Sequence, residues 1–287
     1  MPSASVADEP NLLGEFLHAR RELVTPEQLG LPVLGTRRVP GLRREEVAML
    51  AGISADYYLR LEQGRDRHPS VQVLEAVAGV LQLDDDSTAH LLGLAVERPR
   101  ARARRPRPEL VPPSTAALVA ALPFPAFVEG RFLDVLASNP FATAISPRLV
   151  QGRNRLRDVF LDPAEQALFP QAEAAAAGLV AGFRQSIGTR TDDPRVVELV
   201  GELTLASPLF ARLWARHDVR PRQGALVDFA HPQVGSLRVH REKLAITGTD
   251  GIVLVIYHPA TRDDAEKLAL LAATVAPASA AAGSGVR

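Results

Sequence analysis

Hydrogen-bonding side chains recur between residues 43 and 65 at spacings that leave them on one side of a pair of short helices. Side chains of these types can recognise a nucleic acid by hydrogen bonding. An arginine guanidinium can pair with a phosphate, or with guanine through two hydrogen bonds, and a carboxylate can accept a hydrogen bond from the amino group of cytosine. The predicted exposed face consists of Arg43, Arg44, Ser54, Ala55, Asp56, Tyr57 and Arg60.

Two helices joined by a tight turn must position this face. The turn is built from Ala51, Gly52 and Ile53, and Gly52 can take the left-handed backbone conformation that it requires. Ser54 is placed to cap the second helix. The side predicted to be buried consists of Val47, Leu50, Ile53, Tyr58 and Leu61. This pattern predicts a DNA-binding helix-turn-helix, whose second helix enters the major groove.

An ordinary helical hairpin with a solvated surface is the alternative interpretation of the same residues. It does not explain why tyrosine, aspartate and arginine share one exposed face. If the motif binds DNA, we expect phosphate contacts from Arg43, Arg44 and Arg65. We expect positions at or near base edges for Ser54, Ala55, Asp56, Tyr57 and Arg60. Since one such motif reads few base pairs, a homodimer on a two-fold-related DNA operator is expected, with half-sites ~34 Å apart.

The motif also resembles a known family of regulators. Helix-turn-helix regulators of the Xre type share the pattern found here as Val47-Ala48, Ala51-Gly52-Ile53-Ser54, Tyr58 and Leu61-Glu62-Gln63-Gly64. The resemblance extends to the MmyB-like bacterial transcription regulators through residues 37–46, Tyr57-Tyr58, Gln63-Gly64-Arg65 and Pro69-Ser70. It implies a five-helix, lambda-repressor-like DNA-binding domain.

Composition and missing motifs narrow the class of protein. The chain has 287 residues, no cysteine and a formal net charge of zero. The length suggests two domains, and the lack of cysteine excludes disulfides and cysteine-ligated zinc. No secretory signal or membrane-spanning run occurs, so we expect a cytoplasmic protein without a membrane partner. No nucleotide-binding, metalloprotease or nucleophile motif occurs either, and no two histidines have metal-ligand spacing. We therefore expect no catalytic residue, metal or cofactor.

The first predicted domain covers residues 1–96. Helical spacing of apolar residues predicts helices at 11–23, across the two-helix motif, at 71–81 and after Asp84, with a loop at 25–42. Residues 97–113 form a linker rich in proline and arginine. Its arginines are either solvated or additional phosphate contacts, which the salt dependence of DNA binding would distinguish. They are Arg100, Arg102, Arg104, Arg105 and Arg107.

The second predicted domain covers residues 114–276 and is followed by a tail at 277–287 that we expect to be disordered. The pattern predicts a helix, two short strands around residues 129–131, a helical run at 162–218, three strands with a hairpin turn at 248–251 and a closing helix. This order favours a PAS-like α+β domain. The second half of the chain resembles the ligand-binding domain of MmyB-like regulators through residues 134–139, 161–163, 213–219 and 231–235.

The aromatic residues of this half could form an ordinary core or line an apolar cavity with a few polar groups. Our candidate apolar contacts are Phe132, Phe210 and Trp214. Our candidate polar contacts are Asn139, Arg212, His217 and His231. The family resemblance implies a small apolar ligand such as a fatty acid. Two alternatives stay open: a second half that binds a protein partner, as in an antitoxin, and an enzyme with a DNA-binding leader, which the missing motifs disfavour.

Overall fold

The computed structural model describes residues 11–32, 41–66, 68–95, 109–188, 190–219 and 224–275. By its contacts the chain divides into two compact units. The first holds the described residues of Met1–Arg105 together with those of Gly188–Thr191 and Ala211–Pro221, and the second holds the rest. The predictions for the linker arginines and for the tail at 277–287 concern residues outside the described part.

The described N-terminal residues contain the five predicted α-helices and a 3₁₀ turn, Pro26–Leu29, inside the predicted loop. The helices are α1 (Leu12–Leu23), α2 (Arg44–Leu50), α3 (Ala55–Glu62), α4 (Val71–Val80) and α5 (Asp85–Ala95). Ser54 Oγ accepts a hydrogen bond from Tyr57 N at 3.1 Å and so caps α3. Gly52 has a φ of +69°, which confirms the predicted left-handed turn between α2 and α3.

The core of this unit differs from the prediction at one position of the motif. Val47, Tyr58 and Leu61 are buried as predicted, and Ile53 packs partly buried against the same core. Leu50 was predicted to be buried but is 40% exposed. It is the last residue of α2, and the chain turns away at Ala51, so its side chain lies at the edge of the helix pair and not between the helices.

A buried carboxylate joins the first three helices. The side chain of Glu62, at the end of α3, is 3% exposed and accepts hydrogen bonds at 2.6 Å from Arg21 Nε of α1 and from Arg44 Nε of α2. Asn11 Nδ2, at the start of α1, donates to the Glu62 carbonyl oxygen at 2.6 Å. Burial by itself raises the pKa of the Glu62 carboxyl, but the hydrogen bonds from Arg21 and Arg44 outweigh burial and lower that pKa.

The second half of the chain combines helices with one antiparallel sheet. The helices are α6 (Pro113–Ala121), α7 (Pro140–Ile145), α8 (Arg155–Leu161), α9 (Pro163–Ala167), α10 (Ala172–Ile187), α11 (Pro194–Ala206), α12 (Pro208–Ala215) and α13 (Arg262–Val275). The strands are β1 (Ala126–Glu129), β2 (Val135–Ser138), β3 (Ala225–His231), β4 (Gly235–Ala245) and β5 (Val253–Pro259), in the order β2-β1-β5-β4-β3. This arrangement confirms the predicted PAS-like α+β class. Among the described residues, no helix is both long and apolar enough to cross a membrane.

Alternation along the strands gives the sheet two different faces. The face that we call the inner face carries a buried aromatic and aliphatic core that includes Phe127, Val135, Phe229, Leu237, Val239, Val255 and Tyr257. On the opposite face, α6 packs through Val119 against Ala126, Val128 and Leu254. A polar residue on the inner face is therefore surrounded by apolar side chains, and its hydrogen-bond partners decide whether it stabilises the fold.

Replacing Glu62 with glutamine should destabilise the first unit by about 3 kcal/mol at neutral pH, because Arg21 then loses its buried counter-charge. Since folding lowers the pKa of Glu62, the contribution of its charge is complete above the unfolded-state pKa and is lost as pH falls through the folded-state pKa. The free-energy difference between wild type and E62Q should therefore shrink below pH ~4. Urea unfolding followed by circular dichroism between pH 3 and 7 measures this difference.

The matched control is Glu22→Gln in α1. The Glu22 side chain is 47% exposed and faces a His18 side chain that is 50% exposed. A surface pair of this kind contributes less than about 1 kcal/mol. Equal effects of the two substitutions, or a loss for E62Q that does not depend on pH, would contradict the role given to Glu62.

Candidate functional site

The exposed side of α3 brings together the residues predicted to lie at base edges. Ser54, Ala55 and Asp56 are exposed at the start of the helix, and Tyr57 and Arg60 are partly exposed along it. Arg60 Nη1 donates a hydrogen bond to Asp56 Oδ2 one turn away. The Arg60 guanidinium also lies over the ring of Tyr57, 5.5 Å from its centroid. The structure thus places the predicted residues on one continuous surface.

This arrangement orders the Arg60 side chain without using all its donors. A guanidinium carries five N–H groups, and the pair with Asp56 uses only its Nη1. An ordered arginine loses less conformational entropy when it pairs with a base than a freely rotating one. Asp56 therefore contacts Arg60, and its own predicted contact with cytosine stays a prediction.

The predicted phosphate contacts surround the same helix. Arg43 and Arg65 are exposed, at the start of α2 and just after α3. The Arg44 side chain is 43% exposed, while its Nε is tied to the buried Glu62 carboxylate. Arg44 is therefore anchored at its inner end and open at its outer end. Sequence reasoning missed Glu62 as the residue that fixes Arg44, although Glu62 lies within the Leu61–Gly64 match.

The predicted ligand residues do not share one environment. The structure places Phe132, Asn139, Phe210 and His231 in the second unit, and Arg212, Trp214 and His217 in the first. Phe210 is fully buried and packs edge-on against Phe160, with ring centroids 5.1 Å apart. Phe132 is 6% exposed, and the guanidinium groups of Arg131 and Arg195 lie over its ring. Both phenylalanines therefore belong to packed cores.

The remaining three predicted residues lie at the end of α12 and just beyond it. Arg212 is exposed and Trp214 is partly buried. His217 follows the helix with a φ of +52°, a left-handed conformation that is uncommon for residues other than glycine. Their predicted contact with a ligand is an untested prediction.

Asn139 has a structural role that exhausts its hydrogen-bonding capacity. Its Oδ1 accepts from Ala126 N at 3.1 Å and from Ala142 N at 3.0 Å. Its Nδ2 donates to the carbonyl oxygens of Val119, Leu122 and Phe124 at 2.8–3.3 Å. One amide thereby joins α6, β1 and the start of α7. The prediction that Asn139 orients a ligand does not fit this geometry.

His231 is also used by the fold. Its Nε2 lies 2.9 Å from the carbonyl oxygen of Ala144, and its Nδ1 accepts a hydrogen bond from Gln233 N at 3.2 Å. Both contacts are satisfied together when the proton is on Nε2. The side chain is buried at the end of β3, so neither ring nitrogen is left for a ligand in this arrangement.

Sequence reasoning missed an ionic cluster on the inner face of the sheet. The fully buried Glu129 of β1 accepts hydrogen bonds from Arg155 Nη1 of α8 at 2.7 Å and from Lys243 Nζ of β4 at 2.6 Å. Burial lowers the pKa of Lys243 to about 8; Glu129 opposes this shift, while Arg155 and Arg241 reinforce it. The signal in the sequence was the period of two that places Val239, Arg241 and Lys243 on one face of β4.

Asn139→Ala should destabilise the second unit by about 3 kcal/mol, because buried carbonyl and N–H groups from three elements lose their partners together. The control is Asp193→Ala, which removes a single cap contact to Arg195 N at 3.0 Å and should cost about 1 kcal/mol. Thermal and urea unfolding of the full-length variants measure both changes. A smaller loss for Asn139→Ala than for Asp193→Ala would contradict its role as the junction.

Comparison with known proteins agrees with both halves of this geometry. Residues 12–91 match the family model of a helix-turn-helix domain. Residues 111–271 match the model of the MmyB-like transcription regulator ligand binding domain. No curated protein matches the chain. Because the second match alone covers more than half of the chain and the first supplies the α2–α3 motif, this protein belongs to the MmyB-like transcription regulators and is a DNA-binding regulator.

Proposed function

We propose that the protein binds a specific operator through α3 and that a small apolar ligand in its C-terminal domain controls this binding. The observation that carries the DNA part is the ordered surface of Asp56, Tyr57 and Arg60, next to an Arg44 anchored on Glu62. The match to a ligand-binding domain supports the second part. We further propose that the protein itself catalyses no reaction.

The DNA-bound form is proposed to be a homodimer. Helix α3 is about two turns long, from Ala55 to Glu62, so that one copy contacts few base pairs. Two copies related by a two-fold axis would read two half-sites, which raises both the affinity and the length of the recognised sequence. The expected operator is therefore a near-palindrome with half-sites about one helical turn apart.

A ligand can control DNA binding because the two binding equilibria are thermodynamically linked. A ligand changes the affinity for DNA only if it binds the DNA-competent form more or less tightly than the other forms, and DNA then changes the affinity for the ligand by the same factor. A fatty acid or a related lipid is the ligand class that we propose. Its apolar chain matches a domain whose sheet face is largely aromatic and aliphatic.

Arg60→Ala should weaken binding to a selected operator by about 1–3 kcal/mol and relax the base preference at one position of each half-site. The reason is that Arg60 is the ordered guanidinium on the exposed side of α3. Fluorescence anisotropy with the operator and with single-base variants measures both effects.

Arg43→Ala is the matched control for Arg60→Ala. Arg43 is exposed at the start of α2 and is expected to contact a phosphate. Its loss should weaken binding to all sequences alike and flatten the slope of log K against log salt by about 0.9. If Arg60→Ala behaves in the same way as Arg43→Ala, or leaves binding unchanged, Arg60 does not read a base.

Native mass spectrometry of the protein purified from cells should show a small molecule bound to the folded chain. Such a ligand stabilises the native state by about 2.7 kcal/mol at a hundredfold excess over its dissociation constant, so its removal by extraction should lower the melting temperature. Adding the extract back should restore the melting temperature. A protein without any extractable molecule that instead co-purifies with another polypeptide would favour the protein-partner function.

A further inference from the structure

The sheet of the second unit ends in two edge strands, β2 and β3, which the chain covers to different extents. At the start of β2, Val135 N donates to the carbonyl oxygen of Arg153 at 2.8 Å, and Gly152 N donates to that of Val135 at 2.9 Å. On the outer side of β3, the described residues make one such contact, from Ala230 N to the carbonyl oxygen of Leu168 at 2.7 Å. The part of β3 that precedes Ala230 is therefore an open edge within the described chain.

The register of β3 shows which of its main-chain groups face outward. In an antiparallel pair, the N–H and C=O groups of one residue point to the same side, and successive residues alternate. Because Ala230 N is turned away from β4, the main-chain groups of Leu226 and Asp228 are turned away as well. Neither residue has a main-chain partner on that side among the described residues, and Leu226 is 52% exposed. Unpaired N–H and C=O groups beside an exposed leucine are a template for another strand.

A second copy of this chain matches the open edge when the two strands run antiparallel about a two-fold axis at Leu226. Leu226 then lies opposite the partner's Leu226, on the face of the sheet that carries His240. On the inner face, Ala225 lies opposite the partner's Val227. Apolar side chains therefore meet apolar side chains on both faces, and each outward N–H and C=O group of Leu226 gains a partner.

Charge favours this register over its neighbours. Asp228 would lie opposite Gly224 of the partner subunit, and its carboxylate is already paired with Arg238 Nε at 2.5 Å. A pairing centred on Val227 would place Leu226 opposite an aspartate. A pairing centred on Asp228 would place two carboxylates opposite each other, which is destabilising. The register centred on Leu226 is the one that avoids both conflicts.

We propose that residues 224–228 pair with the same residues of a second copy and so join the two five-stranded sheets into one antiparallel sheet. The inference rests on the proposed homodimer and identifies its interface. Such a contact is isologous, so it closes at two copies. Since five residues of strand bury less than the ~1,200 Å² of a stable interface, monomer and dimer should exchange at micromolar concentrations. Two half-sites on one operator should then favour the dimer.

Sedimentation velocity of the full-length protein, from low micromolar to submillimolar concentration, measures the dimer directly. Leu226→Lys should raise the dimer dissociation constant at least about tenfold, because it removes the leucine pair and places two ammonium groups opposite each other. The matched control is Leu244→Lys, which should dimerise like the wild type. Leu244 is 51% exposed and lies opposite Leu254 on the same face of the sheet as Leu226, but on the interior strand β4.

The chain contains no cysteine, so a single introduced cysteine tests the register. Leu226→Cys places two thiols at positions whose Cα atoms would lie ~5.5 Å apart, within the range of a disulfide, and mild oxidation should give a covalent dimer. Ala230→Cys is the control, since Ala230 is also exposed on β3. Its two copies would lie ~27 Å apart and should not crosslink.

Two kinds of result would overturn the interface on β3. One is a wild-type protein that stays monomeric at every concentration, or a Leu226→Lys variant that dimerises as tightly as Leu244→Lys. The other is crosslinking of Leu226→Cys that does not exceed that of Ala230→Cys. If the wild type dimerises in either of the latter two cases, the homodimer stands and uses another surface.

Binding to DNA with one half-site separates this inference from the proposed DNA function. Leu226→Lys should bind a single half-site as the wild type does and bind the operator with two half-sites more weakly. Equal binding of wild type and Leu226→Lys to the complete operator would also contradict the interface. A wild type that prefers neither DNA over a random duplex would contradict the DNA function itself.

Discussion

The recognition surface of this protein depends on a carboxylate that lies beneath it. Glu62 ends α3 and receives the guanidinium groups of Arg21 from α1 and Arg44 from α2, so three helices meet at two oxygen atoms. Breaking such a buried pair costs more than the pair contributes over an apolar substitute, and its main effect is to fix one arrangement. Because Arg44 is held by the helix that carries Arg60, the proposed phosphate anchor and the proposed base-reading residue keep one relative position.

The second unit also contains a buried carboxylate that joins separate elements. Glu129 satisfies Arg155 and Lys243 on the inner face of the sheet, as Glu62 satisfies two arginines in the first unit. Arg241 on the same face has no such partner among the described residues.

Local interactions account for the parts of the structure that the sequence predicted well. The φ of Gly52 and the cap at Ser54 depend on neighbours within a few residues, so the helix-turn-helix followed from the motif. Leu50 was placed wrongly because burial at a helix end depends on which element covers it. Asn139 was chosen for its polarity, but its partners Val119 and Leu122 lie up to 20 residues away, and Lys243 meets Glu129 across 114 residues. A period of two can place Lys243 on a face of its strand, but no local pattern shows which distant residue it meets.

The central claim is that α3 reads a DNA sequence in a two-fold-related pair. The most direct measurement is selection of the full-length protein against a pool of random duplexes, followed by sequencing of the retained DNA. The account predicts one enriched near-palindrome whose two halves lie about one helical turn apart. Retention of duplexes without any enriched sequence would mean that the basic side chains bind only the phosphate backbone, and it would contradict the claim.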